Sequence, residues 1–313
     1  MDAFVVVSTK RVVQSWKTAK KVGTMMKVLL SFAILFSVSV FSLTGCQQEE
    51  VVVEDTGIVE ATEAYLKFYG VPPQGKEGRA YAAVGYLPTK DNPEKIGPLP
   101  VFLFTKENQT EKVLKKLVSG DLITSDKQPY DNPFPEDLEI LAKPIQENTL
   151  VLDLVTTRQW KDEILRAGTI ALMETALQFD EVKFVKVTLN GVPLSWIPDA
   201  GYQKRLDVVV DVPPPILILM AGAWGKGQEE PEEVLVEFDR PVKVNSFELY
   251  HLDGQKVEGE YFKSIFQMAV VVHPKSPELF QEGTSLRAEW NVVDELGREN
   301  SGVDTMPLKK LIH

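Results

Sequence analysis

Hydrophobic and polar residues alternate with two different periods along this chain, and the pattern changes near residue 195. Between residues 80 and 195, short runs with strand-like alternation are separated by two segments with apolar residues at helical spacing. Strands are predicted at 81–87, 100–104, 138–143, 150–155 and 183–189, and helices at 108–120 and 158–178. The sequence therefore predicts an α+β domain, β-β-α-β-β-α-β, with both helices on one face of a mostly antiparallel sheet.

The longer predicted helix has one apolar side and one polar side. Ile164 and Ala171 fall on the apolar side, whereas Thr169 and Met173 fall on the other. The first predicted helix has Asn108 at its start as a capping residue and Gly120 at its end. Asn190-Gly191 predicts a tight turn directly after the last strand of this domain.

After residue 215 the pattern is typical of strands alone, with Asp253-Gly254 indicating a hairpin. The strands are predicted at 216–220, 234–238, 247–252, 257–262, 265–273 and 285–293. Regular short strands between turns indicate an all-β sandwich. The Gly- and Glu-rich stretch 224–233 is predicted to be an exposed loop of this sandwich.

The N-terminal region contains an apolar run from Val28 to Leu43, preceded by Lys27 and followed by Thr44-Gly45-Cys46. This order of basic, apolar and small residues is typical of an export signal. Leu43 to Cys46 resembles a bacterial lipobox, which implies a diacylglycerol thioether on Cys46 and cleavage just before it. A membrane-spanning helix would need about 20 apolar residues, and a buried core cysteine is the other alternative.

These patterns divide the chain into five predicted segments. They are a signal peptide at 1–45, a tether at 46–79, the α+β domain at 80–195, a linker at 196–215 and the sandwich at 216–313. The first 24 residues are either a long basic lead-in or the result of a misplaced start, with Met25 or Met26 as the true beginning; we favour the misplaced start.

Cleavage before Cys46 removes six of the 34 basic residues and one of the 45 acidic residues. The mature chain therefore has a net charge of 28 − 44 = −16. Such a charge argues against nucleic acid as a partner, because phosphates would be repelled. It also argues against a basic patch holding the body to anionic lipid, so the acyl chains are expected to be the anchor. Cys46 is the only cysteine, so lipidation leaves no thiol for disulfides or thiolate metal sites.

The first predicted helix ends in Leu117-Val118-Ser119-Gly120, and paired strands run through Ile140 and Leu152. The second helix ends in Thr175–Phe179, followed by Val182, Val185, Val187, Asn190 and Gly191. With these residues the α+β domain resembles the GerMN-type domain of sporulation and spore germination proteins. Asp121 departs from the family pattern, which usually has proline there. The sandwich is similar to bacterial Ig-like modules at 238–242, 279–285 and 294–297.

The sequence offers little catalytic chemistry. His251, His273 and His313 show no paired ligand spacing, and no nucleophile elbow, Walker loop or dinucleotide fingerprint occurs. We therefore expect no enzyme activity, no cofactor and no metal. Asp153, inside an apolar strand, and the tryptophans Trp196 and Trp224, near the domain junction, are the candidate interaction residues. The alternative for Asp153 is an ordinary outward-facing strand position. The alternative for the two tryptophans is packing between the domains.

The resemblance implies a protein-assembly component on the outer face of the cytoplasmic membrane, acting in sporulation or germination. Its expected partners are the membrane, through Cys46, and envelope or sporulation-complex proteins, with homo-oligomers included. An envelope lipoprotein that binds cell-wall glycan and a cell-wall hydrolase are the alternatives.

Overall fold

The computed structural model describes residues 57–74 and 78–312. The predicted signal peptide and the lipobox residues Leu43, Thr44, Gly45 and Cys46 lie outside this part of the chain. These described residues lie in one compact unit.

The first part of this unit is an α+β domain, as predicted. Its elements are β1 (Ile58–Ala61), α1 (Glu63–Tyr69), β2 (Arg79–Pro88), β3 (Ile96–Leu103), α2 (Gln109–Val118), β4 (Glu139–Ala142), β5 (Thr149–Val155), α3 (Asp162–Ala176), β6 (Phe184–Leu189) and β7 (Val192–Pro193). One sheet has the order β1-β2-β3 and the other the order β4-β5-β6-β7. Strands β1 and β2 are parallel, as are β5 and β6, and the remaining pairs are antiparallel.

Helix α3 packs against β2 of one sheet and β6 of the other. The prediction that both helices lie on one face of a single sheet is therefore wrong, because α3 packs against two sheets. Because α3 meets both sheets, Thr169 and Met173 are fully buried although they were predicted on the polar side, and Ile164 is 43% exposed although it was predicted on the apolar side. A helix covered on both sides no longer follows a two-faced pattern.

The predicted tether is wrong for residues 58–69, which belong to the core. Strand β1 pairs in parallel with β2, and α1 connects them as a crossover. Tyr65, Phe68 and Tyr69 on α1 are all buried. Aromatic side chains bury large apolar areas, so this short apolar cluster outweighs the polar and proline-rich residues around it.

Two local predictions have different outcomes. Asn190 and Gly191 have φ values of 50° and 78°, which is the tight turn expected between β6 and β7. Asn108 precedes α2, but it adopts a left-handed conformation and its side chain makes no capping hydrogen bond. The prediction that Asn108 caps α2 is therefore wrong.

The second part is all-β, as predicted, and consists of two sheets around one core. Its strands are β8 (Leu217–Trp224), β9 (Glu233–Phe238), β10 (Lys243–His251), β11 (Gly259–Lys263), β12 (Ala269–Pro274), β13 (Ser285–Val293), β14 (Glu299–Pro307) and β15 (Lys309–Ile312). The sheets have the orders β11-β12-β9-β8-β15 and β10-β13-β14. Phe238 and Trp290 meet edge-on across the core at 5.5 Å. The Ig-like type of this sandwich stays a prediction.

Strands β14 and β15 were not predicted from the sequence. Strand β14 reads Glu-Asn-Ser-Gly-Val-Asp-Thr-Met-Pro, and only Met306 in it is buried. Its place is set by antiparallel pairing along the whole of β13. Single-turn 3₁₀ helices at Leu206–Val208 and Pro277–Leu279 complete the secondary structure of the described residues.

A buried charge network joins the sandwich to the α+β domain. We define it as Asp239, Arg240, Asp294 and Arg298. Arg240 donates from Nη2 to Asp239 Oδ2 at 2.6 Å, and its Nη1 lies 3.6 Å from Asp294 Oδ2. Arg298 donates from Nε to the same Asp294 oxygen at 2.6 Å. The side chains of Arg240 and Asp294 are only 2% and 1% exposed, so both charges depend on these partners.

The same network reaches the α+β domain through backbone carbonyls. Arg298 Nη2 donates to the Phe68 carbonyl at the end of α1, at 2.6 Å. Arg240 Nη1 donates to the Pro213 carbonyl at 2.6 Å, and its guanidinium lies 5.8 Å from the Tyr69 ring centroid. Burial opposes the charge of Arg240, but Asp239 outweighs it, and the pKa of the guanidinium is raised. Arg240 therefore stays charged in this buried position.

Further contacts join the two parts at separate points. The Phe266 ring, on the turn between β11 and β12, stacks on Phe102 of β3 at 4.1 Å. Lys127 forms an ion pair with Asp304, which also accepts from Trp290 Nε1 at 2.7 Å. The two parts are thus joined by ionic, aromatic and backbone contacts that are far apart in sequence.

The connection between the two parts is packed onto α3. Glu174 Oε1 accepts from the Tyr202 hydroxyl and from the Arg205 amide, both at 2.8 Å. Burial raises the pKa of the Glu174 carboxyl, and these two donors partly offset the shift. Tyr202, Val208 and Val212 are also buried, so the connection is held in the core at these three positions.

We expect Ala171→Asp to lower the free energy of unfolding by about 3–5 kcal/mol, because the new charge would be buried without a partner. Ala171 has no exposed surface. Urea unfolding of residues 46–313 measures the change. Ile164→Asp on the same helix is the matched control and should change stability by less than about 0.5 kcal/mol. Equal unfolding midpoints for the two variants would contradict this account of α3.

We expect Arg240→Met to cost about 3–5 kcal/mol, because Asp239 and Asp294 would then lack their buried partner. The control is Arg205→Met, since the pair of Arg205 with Asp207 is exposed and such pairs contribute about 0–1 kcal/mol. Thermal unfolding followed by circular dichroism compares the two. An Arg240→Met protein as stable as the Arg205→Met protein would show that the network does not stabilise the fold.

Candidate interaction surface

The described residues contain shallow, open depressions in place of a deep pocket. One depression of about 430 Å³ is lined mainly by the acidic loop Gln228–Glu232. Another of about 380 Å³ is lined by residues 255–259, Tyr261 and Lys275. Small-molecule sites are usually enclosed and mostly apolar, so neither depression resembles one.

The described residues also show no arrangement that fits a metal ion. Over residues 57–74 and 78–312, no three His, Cys, Asp or Glu side chains converge. His273 Nε2 lies 2.9 Å from Glu233 Oε1, and the His251 ring packs on Phe280 at 5.2 Å. His313 lies outside the described residues. In the same part of the chain, no helix is both long enough and apolar enough to cross a bilayer.

Asp153 is occupied by contacts within its own sheet. Its Oδ1 accepts from the Thr188 hydroxyl at 2.6 Å and from the Gly191 amide at 2.9 Å. The carboxylate therefore holds the turn between β6 and β7 against β5. It is half-buried on the outer side of the strand, where it can fix this turn and still border a contact surface.

The two candidate tryptophans lie in different environments. Trp224 ends β8 and is only 2% exposed, with its Nε1 donating to the Glu229 carbonyl at 3.2 Å. A partner cannot reach it, and the prediction that it starts an exposed loop is wrong, because its ring fills the sandwich core. Trp196 is half-buried against the α+β core, and the Arg166 guanidinium lies 5.1 Å from its ring.

The structure shows a broader surface on the outer face of the four-stranded sheet. We define this outer sheet face by Leu141 on β4, by Val151, Asp153 and Val155 on β5, and by Lys186 on β6. Register places Leu141 beside Asp153 and Val151 beside Lys186. Leu141 is 53% exposed, and the three β5 residues are half-buried.

The opposite face of the four-stranded sheet is buried in the core, unlike the outer sheet face. Leu150, Leu152 and Leu154 alternate with the outer residues of β5 and are buried with α3 in the core. The outer sheet face is a mixed surface of aliphatic side chains bordered by single charges, which is typical of protein contact surfaces.

The Asp137 carboxylate binds the residues that follow β5, next to the outer sheet face. Asp137 accepts from the hydroxyls of Thr156 and Thr157 at 2.7 and 2.6 Å, and these bonds hold the pKa of its carboxyl well below the usual range. The charge on Asp137 therefore persists at any physiological pH and anchors the residues that follow β5.

Sequence reasoning identified Asp153 on this surface but missed Leu141. The available signal was strand alternation, which places Leu141 on the same side as Asp153 once the pairing of β4 with β5 is known. The register of β4 against β5 could not be read from the sequence.

Comparisons with known proteins give the following matches. The family model Germane, described as sporulation and spore germination, matches residues 84–195. None of the curated proteins compared with the chain matches it.

Among solved structures, the first GerMN domain of the sporulation protein GerM from Bacillus subtilis is 19% identical, over 40% of this chain and 93% of that one, with a TM-score of 0.32. The tandem GerMN domains of the same protein are 18% identical, over 50% of this chain and 58% of that one, also with a TM-score of 0.32. PcoC, a methionine-rich copper resistance protein from Escherichia coli, is 16% identical, over 31% of this chain and 99% of that one, with a TM-score of 0.23.

With TM-scores below 0.5, these three structures do not extend the family match. That match covers the region in which the GerMN resemblance was seen, from β2 to the end of β7. The α+β domain is therefore similar to the Germane family of sporulation and spore germination domains over residues 84–195.

Proposed function

We propose that this chain is a lipid-anchored protein of the outer face of the cytoplasmic membrane, where it acts as a scaffold for protein assembly in sporulation or spore germination. The observation that carries the proposal is the Germane family match at residues 84–195. It supports the role in sporulation or germination, and it covers the domain that carries the outer sheet face.

The anchor is supported by the sequence Leu43-Thr44-Gly45-Cys46 after the apolar run. A diacylglycerol on Cys46 would supply two acyl chains, and two chains hold a protein at a membrane stably where one does not. The acidic mature chain cannot rely on attraction to anionic lipid.

The scaffold role is supported by the outer sheet face. An aliphatic surface on a sheet whose other side is fully packed is available to a partner without unfolding anything. Its partners would be envelope proteins of the spore-forming cell, with a second copy of this chain among them. The chain would do no chemistry of its own in this role.

We expect Cys46→Ala to abolish both lipid attachment and processing, because the thioether needs this sulfur. Incorporation of radiolabelled lipid in the native host measures the first, and the size of the protein measures the second. Ser39→Ala, inside the same apolar run, is the matched control and should be labelled normally. Persistent labelling of the Cys46→Ala protein would refute the anchor.

We expect the native protein to give crosslinked partner bands and Leu141→Asp to remove them, because a carboxylate would have to be desolvated in the contact. Leu252→Asp in the sandwich is the control, since Leu141 and Leu252 are 53% and 65% exposed and neither change should affect folding. Crosslinking in native membranes followed by mass spectrometry is the measurement. Unchanged partners in the Leu141→Asp protein would contradict the scaffold surface.

A further inference from the structure

The described part of the chain begins at one end of the folded body. That end also presents an apolar surface of low charge. Strand β1 starts at Ile58, and α1 runs back so that its last residues return to the same end of the sheet as the start of β1. Gln74, on the connection that follows, accepts from the Val59 amide at 3.2 Å and donates to the Pro72 carbonyl at 3.1 Å. The segment 71–74 therefore lies beside the start of β1.

The turn between β13 and β14 reaches the same place. A Cβ on Gly70 would lie 2.8 Å from Glu295 Cγ and 3.2 Å from Leu296 Cδ2, so this turn touches the end of α1. Arg298 holds the contact by donating to the Phe68 carbonyl at 2.6 Å. We call the surface made by Ile58, Val71 and Leu296 the N-terminal pole.

The three side chains of the N-terminal pole are well exposed, at 49% for Ile58, 61% for Val71 and 48% for Leu296. They come from three separate segments, so no single amphipathic pattern accounts for them. Exposed aliphatic residues gathered from different elements indicate a contact surface.

The charge of this pole differs from that of the rest of the protein. Residues 57–74 and 78–79 contain two acids, Glu60 and Glu63, and two bases, Lys67 and Arg79. The turn 294–298 adds Asp294, Glu295 and Arg298, for a total of −1, whereas the mature chain from Cys46 carries 28 − 44 = −16. The N-terminal pole is therefore close to neutral, so its repulsion from an anionic lipid surface would be small.

The chain between the anchor and β1 is short. Cys46 and Ile58 are separated by 58 − 46 = 12 residues. Even fully extended, this length reaches only about 40 Å. A compact body of this size has a radius of gyration of about 18 Å, so the connection cannot hold it far from the bilayer.

We propose that the N-terminal pole rests on the lipid surface of the membrane, with Ile58, Val71 and Leu296 against the headgroup region. The inference rests on the proposed lipidation of Cys46. The short connection keeps the pole at a high effective concentration near the lipid, so that even a weak apolar contact is occupied. The acidic remainder of the body then faces away from the bilayer.

The geometry also supplies a reference point far from the pole. Leu252 follows β10, whose residue His251 pairs with Leu286 near the start of β13. The turn 294–298 follows the other end of β13, which is about 27 Å away at the rise of an antiparallel strand. Leu252 is 65% exposed, much as Val71 is, so the two positions differ mainly in their distance from the pole.

The test uses the full-length lipidated protein in vesicles of phosphatidylethanolamine and phosphatidylglycerol that carry a nitroxide quencher on the headgroups. Because Cys46 is the only native cysteine, the Val71→Cys and Leu252→Cys variants each take one fluorescent label at a known site. We expect a several-fold larger loss of fluorescence at position 71 than at position 252.

Mass spectrometry of the same samples shows whether Cys46 carries diacylglycerol. It therefore distinguishes failure of this inference from failure of the proposed function. If diacylglycerol is present on Cys46 and the two positions are quenched equally, the membrane contact is refuted while the anchor stands. Quenching only at position 252 would also refute it and would leave the pole free for a protein partner. If no lipid is present on Cys46, the proposed function fails and this inference with it.

Discussion

A network of two arginines and two aspartates in the sandwich, of which Arg240 and Asp294 are buried, joins the two parts of this protein. Arg240 and Asp294 are almost completely enclosed, and each would be strongly unfavourable alone. Arg298 extends the network to a backbone carbonyl at the end of α1. The four charges pair with one another inside the sandwich, and the remaining N–H donors of Arg298 and Arg240 bind the Phe68 and Pro213 carbonyls outside it.

The short unit β1-α1-β2 becomes essential in this arrangement. Its elements β1 and α1 were expected to be part of a tether, yet they supply an edge strand to the first sheet and three buried aromatic side chains to the core. Its last turn also provides the Phe68 carbonyl and the Tyr69 ring that meet the two arginines. Consequently the distance from the proposed anchor to the folded body is only the residues between Cys46 and Ile58, and the body is expected to stay near the membrane.

Among the described residues, two surfaces differ in character and suggest different partners. The outer sheet face is aliphatic with bordering charges, and it lies in the region that the Germane family model matches. The N-terminal pole is smaller, nearly uncharged and next to the proposed anchor. A protein fixed to lipid at one end and open to proteins on a sheet face could hold an assembly at a set distance from the bilayer.

The sequence by itself determined the elements whose patterns are local. Strands β5, β6 and β13 alternate cleanly, and the turn at Asn190-Gly191 needs only the conformational freedom of those two residues. Tertiary structure decided which faces are buried: α3 meets two sheets, so Thr169 and Met173 are buried against their pattern, and β14 is a strand only because β13 pairs with it. The outer sheet face and the charge network likewise depend on register and on contacts between distant segments, and the alternation of residues within one segment contains no information about those.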